Sequence, residues 1–231
     1  MDGAWTRPEI INISGQYRDA APYLSPDGNT LLFDSRRPTP EDPSNAINLW
    51  QSRRTATGWS QPEFLAVPSQ NTDEEPTVGQ DEFGPAMDDS GQLYFYSFRQ
   101  PYRGGARYVL PRLSDQDIRL DNSIPDPSDQ TFISYLYVSP DATFAVMEGR
   151  ARGRRDTDLF CSCKQEDGSW TEAVEVPGVN TAANEGGPFV TADGAYLLFT
   201  SNRRTKEASA GNANLYLVSA GKLREQCQGK D

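Results

Sequence analysis

The stretch Pro22-Tyr23-Leu24-Ser25-Pro26-Asp27-Gly28-Asn29-Thr30-Leu31-Leu32-Phe33-Asp34-Ser35-Arg36-Arg37 decides the architecture. At its centre, Ser25-Pro26-Asp27-Gly28 is a tight-turn sequence, because Gly takes φ > 0 without a Cβ clash and Asp can bond the backbone two residues on. Short apolar and aromatic runs flank the turn, so the stretch reads as a hairpin. The pattern returns three times. Asp88-Asp89-Ser90-Gly91 precedes Gln92-Leu93-Tyr94-Phe95-Tyr96, Ser139-Pro140-Asp141-Ala142 precedes Thr143-Phe144-Ala145-Val146-Met147, and Thr191-Ala192-Asp193-Gly194 precedes Ala195-Tyr196-Leu197-Leu198-Phe199. With Asp27, Ser90, Asp141 and Asp193 as equivalent points, the intervals are 63, 51 and 52 residues. A unit recurring at that length marks a propeller or another repeat array.

More of the unit follows each turn. An arginine segment ends the second strand: Ser35-Arg36-Arg37, Ser97-Phe98-Arg99, Glu148-Gly149-Arg150 and Ser201-Asn202-Arg203-Arg204. A third strand carries Asn48-Leu49-Trp50, Arg107-Tyr108-Val109, Asp158-Leu159-Phe160 or Asn214-Leu215-Tyr216. A Trp turn and a fourth short strand follow in the first and third units, at Gly58-Trp59-Ser60-Gln61-Pro62 and Ser169-Trp170-Thr171-Glu172. The fourth unit stops near Ser219, while Ala4-Trp5-Thr6-Arg7-Pro8-Glu9-Ile10 reads as the missing Trp turn and strand. The expected fold is all-β: one four-bladed β-propeller, closed by an N-terminal strand at about 4–13, with repeats at about 20–83, 84–133, 134–186 and 187–220. The alternative is a five-bladed ring or a fragment of a larger one. The second unit, lacking a Trp turn, is expected to have a less regular outer strand, and the third, with Ala142 in place of Gly, a different turn.

These residues resemble the TolB-like, WD40-like β-propeller repeat, most fully over Pro22 through Arg37 and Pro188 through Arg204. That resemblance implies a broad family containing periplasmic and exported binding proteins and propellers attached to enzymes, so a periplasmic or secreted location is expected from it. The opening residues Met1-Asp2-Gly3-Ala4-Trp5 do not read as a signal peptide.

Composition narrows the chemistry. The 231 residues contain no histidine, and 33 Asp+Glu against 22 Lys+Arg give a formal charge of −11. The missing imidazoles exclude Ser-His-Asp and Cys-His nucleophiles and His-ligated zinc or haem. The acidic balance argues against nucleic acid, and no apolar run approaches the ~20 residues of a spanning helix. Cys161, Cys163 and Cys227 suggest neither a disulfide framework nor a tetrahedral metal set, and ordinary structural thiols are expected.

In a propeller, the connections entering the innermost strands share a face with those joining second to third strands. The first class carries Arg18, Asp19, Glu82, Asp129 and Glu185; the second carries Arg36, Arg37, Arg99, Arg150, Arg203 and Arg204. The expected site is therefore a channel mouth of acids and guanidiniums, with Arg18, Asp19, Arg36, Glu82, Arg99, Arg150, Glu185 and Arg203 binding a small polar or acidic ligand or a protein partner. Ion pairs stapling neighbouring blades are the structural alternative. No cofactor is required, although oxygens of Asp19, Glu82, Asp129 and Glu185 would suit Ca²⁺ in the central channel. If the protein is an enzyme, Asp19, Glu82, Glu185 and Tyr17 are the candidates for His-free acid–base catalysis on a small-molecule or carbohydrate substrate, as in a lyase, isomerase, cyclase or glycoside hydrolase. A purely structural interaction scaffold is the third alternative. The chain is expected to be a monomer.

Overall fold

A computed structural model describes residues 7–39, 46–67, 81–98, 105–115, 117–126, 130–151, 153–205 and 213–228. Blade 1 comprises β1 (Asp19–Leu24), β2 (Thr30–Ser35), β3 (Asn48–Thr55), β4 (Gly58–Trp59) and β5 (Glu63–Phe64), with β5 pairing on β3. Blade 2 comprises β6 (Glu82–Met87), β7 (Leu93–Ser97), β8 (Ala106–Leu110) and β9 (Arg119–Leu120). Blade 3 comprises β10 (Gln130–Val138), β11 (Phe144–Ala151), β12 (Asp158–Cys163) and β13 (Val174–Glu175). Blade 4 comprises β14 (Glu185–Val190), β15 (Tyr196–Ser201) and β16 (Asn214–Ser219), followed by the helix α1 (Gly221–Gln228). The chain is a four-bladed, nearly all-β propeller whose blades are antiparallel sheets stepped in chain order around a channel. Blade 2 has its outer strand, β9, despite lacking the Trp turn.

The turn residues explain the hairpins. Ser25, Ser139 and Thr191 hydroxyls donate to Asp27, Asp141 and Asp193 at 2.5, 2.7 and 2.6 Å. In blade 2 the two residues exchange places, and Ser90 donates to Asp88 at 2.6 Å. The turn closes through Gly28, Gly91 and Gly194 N–H groups, and in blade 3 through the Ala142 N–H to the Ser139 carbonyl at 2.8 Å. Blade 3 thus keeps the common turn, contrary to expectation. Ala142 sits at φ +51°, in the left-handed region that Gly occupies elsewhere.

The innermost strands share an irregularity. Each pairs with its second strand across a register shift, where Ala21, Gly84, Tyr135 and Gly187 take φ values of +46°, +62°, +40° and +57°. Beyond this bulge Tyr23, Tyr137 and Phe189 meet inside the channel, with ring centroids 5.6 to 6.4 Å apart. The Tyr23 hydroxyl also bonds the Met87 carbonyl, tying blade 1 to blade 2.

Strand packing between blades runs from 1 to 2, 2 to 3 and 3 to 4. The seam between blades 4 and 1 is different. Leu49 and Leu215 hold the same repeat position, yet Leu49 is 0% exposed beneath blade 2 while Leu215 is 66% exposed. On the other side of the seam Leu31, Phe33 and Trp50 form a satellite core with Ile13, Trp59 and Phe64. Residues 7–13 belong to that side: the Asn12 amide group bonds both the carbonyl and the N–H of Trp59, and Ile13 joins the satellite cluster. Over 7–13 the chain forms no strand, and Ile10 is 83% exposed. The closing strand expected at about 4–13 is therefore not present over those residues, because blade 1 offers Asn12 and Ile13 their partners; residues 4–6 lie outside the described set.

The helix α1 seats Leu223 in the main core and packs on β12. A disulfide joins Cys163 of β12 to Cys227 of α1, and the remaining thiol, Cys161, is buried and bonds Gln226. The expectation of three ordinary thiols is corrected. Residues 64 apart in sequence gave no sign that the helix would fold back onto blade 3.

Candidate functional site in the central channel

In blades 1 and 4 the expected acid and an arginine lie together, with the same geometry in both. In blade 1, Asp19 pairs in register with Ser35, whose hydroxyl donates to Asp19 Oδ1 at 2.7 Å. Arg37, two residues further, places Nη2 2.8 Å from the same oxygen and Nε 3.1 Å from the Ser35 hydroxyl. Blade 4 repeats this: Ser201 donates to Glu185 Oε1 at 2.7 Å, and Arg203 Nη2 lies 3.0 Å from that oxygen. Each arginine gives a further bond to the loop before its blade, at the Ile13 or the Val179 carbonyl. Arg37 then stacks over Phe33 and Trp50, and Arg203 over Phe199 and Tyr216. These charge-assisted bonds saturate the carboxylates and fasten each blade's first two strands to the preceding loop.

The pairing is within a blade rather than between blades, because the register sets the acid, the serine and the folded-back arginine beside one another. Glu185 is fully buried and accepts two further bonds from Thr181, and Asp19 Oδ2 accepts the Ser14 hydroxyl at 3.0 Å, so the chain itself occupies the oxygens of both acids. Glu82 is also buried, with its N–H bonded to the Ile47 carbonyl. Arg99 and Asp129 lie outside the described residues. By register, Ile133 stands in blade 3 where the other blades have Asp19, Glu82 and Glu185. Among the described residues no three His, Cys, Asp or Glu side chains come together as metal ligands. Tyr17 is exposed under the Arg37 guanidinium, and the Arg18 carbonyl accepts the Arg36 N–H. Arg150 is on β11, two residues beyond Glu148.

A cavity of about 590 Å³ is lined by residues of all four blades. Its walls include Tyr23, Leu24 and Leu31 of blade 1, Pro85 of blade 2, Tyr135 and Glu148 of blade 3, and Phe189, Leu198, Thr200 and Leu215 of blade 4. Glu148 is the one charged residue among the described residues that line it.

Glu148 and Tyr135 are where the repeat breaks. On the second strands, one position reads Asp34, Tyr96, Glu148 and Thr200 through the four blades. Asp34 accepts the Gly84 N–H of the next blade at 3.2 Å, and Glu148 accepts the Gly187 N–H of its next blade, also at 3.2 Å. Burial pushes the carboxyl of each upward, partly offset by that N–H. Gly186 permits the approach of Glu148, whose carboxylate occupies the space that a Cβ there would take. Tyr135 occupies the positive-φ bulge that holds Ala21 or Gly in the other blades. Burial raises its hydroxyl pKa, Asp34 and then Glu148 add to the rise, and Arg18 opposes it.

The sequence points to Arg150 and Asp129 for blade 3, offers Tyr135 only as one of several strand aromatics that could line a pocket or pack the sheet, and does not single out Glu148. A signal was present. Innermost strands read Ala21-Pro22, Gly84-Pro85 and Gly187-Pro188, but Tyr135-Leu136 in the third unit.

These four sheets around a shared cavity define a β-propeller, and the fold is TolB-like. TolB from Acinetobacter baumannii matches 90% of this chain at TM-score 0.53 and 13% identity, and the chain spans 42% of that protein. Two weaker likenesses are a Hadza microbial sialidase, at TM-score 0.48 and 13% identity over 87% of this chain and 44% of that one, and the β-propeller domain of the Trilobed protease from Pyrococcus furiosus, at 0.41 and 10% over 87% and 54%. No protein-family model and no curated protein matches the sequence. At these identities the likeness is one of fold.

Proposed function

We propose that this chain is a ligand-binding β-propeller whose site is the central cavity rather than the acid–arginine pairs of blades 1 and 4. One observation carries the reading. Where every blade contributes to one cavity, the repeat is broken by Tyr135 and Glu148, and Tyr135 holds a backbone conformation that costs a non-Gly residue of order 1–3 kcal/mol. Strain retained at a cavity wall is what a binding site selects for, whereas the Asp19–Arg37 and Glu185–Arg203 groups serve the blades themselves. A cavity of about 590 Å³ is the size that takes a small molecule.

The test is a soak or co-crystallisation with a fragment collection, together with a Leu198→Trp variant that fills the cavity. Fragments seated against Tyr135 and Glu148, and lost from the filled variant, support the reading. Fragments seated only on the outer surface, in parent and variant alike, would sink it.

A catalytic reading rests on the carboxyls of Glu148 and Asp34 beside the Tyr135 hydroxyl, a set suited to acid–base work without histidine. Turnover of a cavity-bound ligand abolished by both Glu148→Gln and Tyr135→Phe is its signature. The Cys163–Cys227 disulfide supports a workplace in an oxidising compartment, periplasmic or extracellular.

A further inference from the structure

We propose that the cavity ligand is a small organic cation, an ammonium group on an apolar body, with the ammonium against Glu148 and the body lying in the seam between blades 4 and 1. This rests on the cavity being the binding site. Two features of the cavity carry the ligand class, and they lie at different ends of it.

At the inner end a single carboxylate projects among Tyr135, Thr200 and the glycine backbone of the bulge. One oxygen, Glu148 Oε2, takes the Gly187 N–H. Arg150 acts on Glu148 from its own strand and Arg18 acts on Asp34, but neither arginine lines the cavity. A ligand in the cavity therefore meets a carboxylate, not a guanidinium. Burial disfavours the bare Glu148 carboxylate, and a cation seated against it would offset that cost. Tyr135 adds an aromatic face and Tyr23 and Phe189 add others, which favour an ammonium over an anion. The chain's formal charge of −11 draws cations toward the site and repels anions.

At the outer end the walls turn apolar. Leu24 and Leu31 of blade 1 and Leu198 and Leu215 of blade 4 line the same cavity, and Leu215 is the leucine left exposed where its counterpart in blade 1 is covered. Covering those leucines supplies affinity, and the single carboxylate supplies orientation. A metal ion would leave this outer half uncovered, and a carboxylate ligand would bring like charge to Glu148.

Calorimetric titration with three probes that share one body tests the proposal: phenethylamine, 3-phenylpropionate and 3-phenylpropionamide. The amine is expected to bind at least 10-fold more tightly than the amide, with the carboxylate weakest. Glu148→Gln should bring the amine down to the amide's affinity and leave the amide unchanged. Leu215→Ser should weaken amine and amide alike. The Gln variant keeps an acceptor for the Gly187 N–H, and matching thermal unfolding of parent and variant checks that it folds. Tighter binding of the carboxylate, or an amine affinity unmoved by Glu148→Gln, would overturn the ligand class while leaving the cavity site standing. Binding of none of the three, in a protein whose cavity also rejects fragments, would overturn the site and the ligand class together.

Discussion

Arg107 Nε lies 2.6 Å from Asp121 Oδ2, with both side chains almost wholly buried beneath the connection from blade 2 to blade 3. The guanidinium also reaches Asp126, at 3.2 Å, and the Ile124 carbonyl. One strand residue thereby organises the polar loop around Pro125. Asp121→Ala should destabilise the fold by ~3–5 kcal/mol, because it strands a buried cation. Urea unfolding of Asp121→Ala, Arg107→Leu and the double variant checks this. The double variant should recover part of the loss, and strictly additive losses would show that the pair is not coupled.

Ala142 carries a cost that the other blades avoid. Its φ of +51° is the conformation of Gly28, Gly91 and Gly194 in the equivalent turns, and its N–H makes the same turn bond. Ala142→Gly is therefore expected to stabilise the protein by ~0.5–1 kcal/mol, even though Gly usually costs stability through unfolded-state entropy. A higher urea midpoint at unchanged slope is the expected result. A lower midpoint would mean that the turn is not strained.

Glu148 gives a pH dependence with a definite sign. Burial raises its folded pKa above the ordinary 4.5. Well below that value both folded and unfolded chains hold the proton, and the group costs nothing. As pH climbs, the unfolded chain releases its proton first, so stability falls until the folded pKa has been passed. Glu148→Gln removes the effect. The stability difference between variant and parent should grow in the variant's favour from about pH 3 to about pH 7. A difference that stays flat across that range would contradict the assignment.

The disulfide should matter for stability. Cys163 and Cys227 close a loop of 64 residues that includes all of blade 4. Cys227→Ser, or reduction of the parent, should cost ~2–4 kcal/mol. Thermal unfolding with and without reductant measures it, and thiol labelling of the unfolded, unreduced chain should find a single free thiol, Cys161. Three reactive thiols would mean that the bond is absent.

The blades were legible because their signal is local. Ser25-Pro26-Asp27-Gly28 and its three relatives each fix a hairpin, and the spacing of those turns counts the blades. The Asp19–Arg37 and Glu185–Arg203 pairs join residues that the repeat already marks, but their role was not legible. Ser35 and Ser201, which bridge each acid to its arginine, look like ordinary strand ends until the register Asp19↔Ser35 and Glu185↔Ser201 is known. Glu148 was hidden by its own neighbour, since Glu148-Gly149-Arg150 draws attention to the arginine. Tyr135 stood out only as one strand aromatic among several, because a positive φ at Tyr depends on tertiary packing that no local propensity encodes. The Cys163–Cys227 bond and the Arg107 network join parts of the chain whose meeting is decided only when the blades pack.

Cys227 follows all four blades in the chain, while its partner Cys163 sits in the third. On a ribosome or during translocation, blade 3 must therefore wait with one thiol unpaired, and with a buried thiol two residues away, until blade 4 and the helix have emerged. The bond ties the helix and blade 4 back to blade 3: a chain cut short before Cys227 can build its blades but cannot lock them. Quality control that senses free thiols would distinguish a product truncated before Cys227 from one in which the bond has formed.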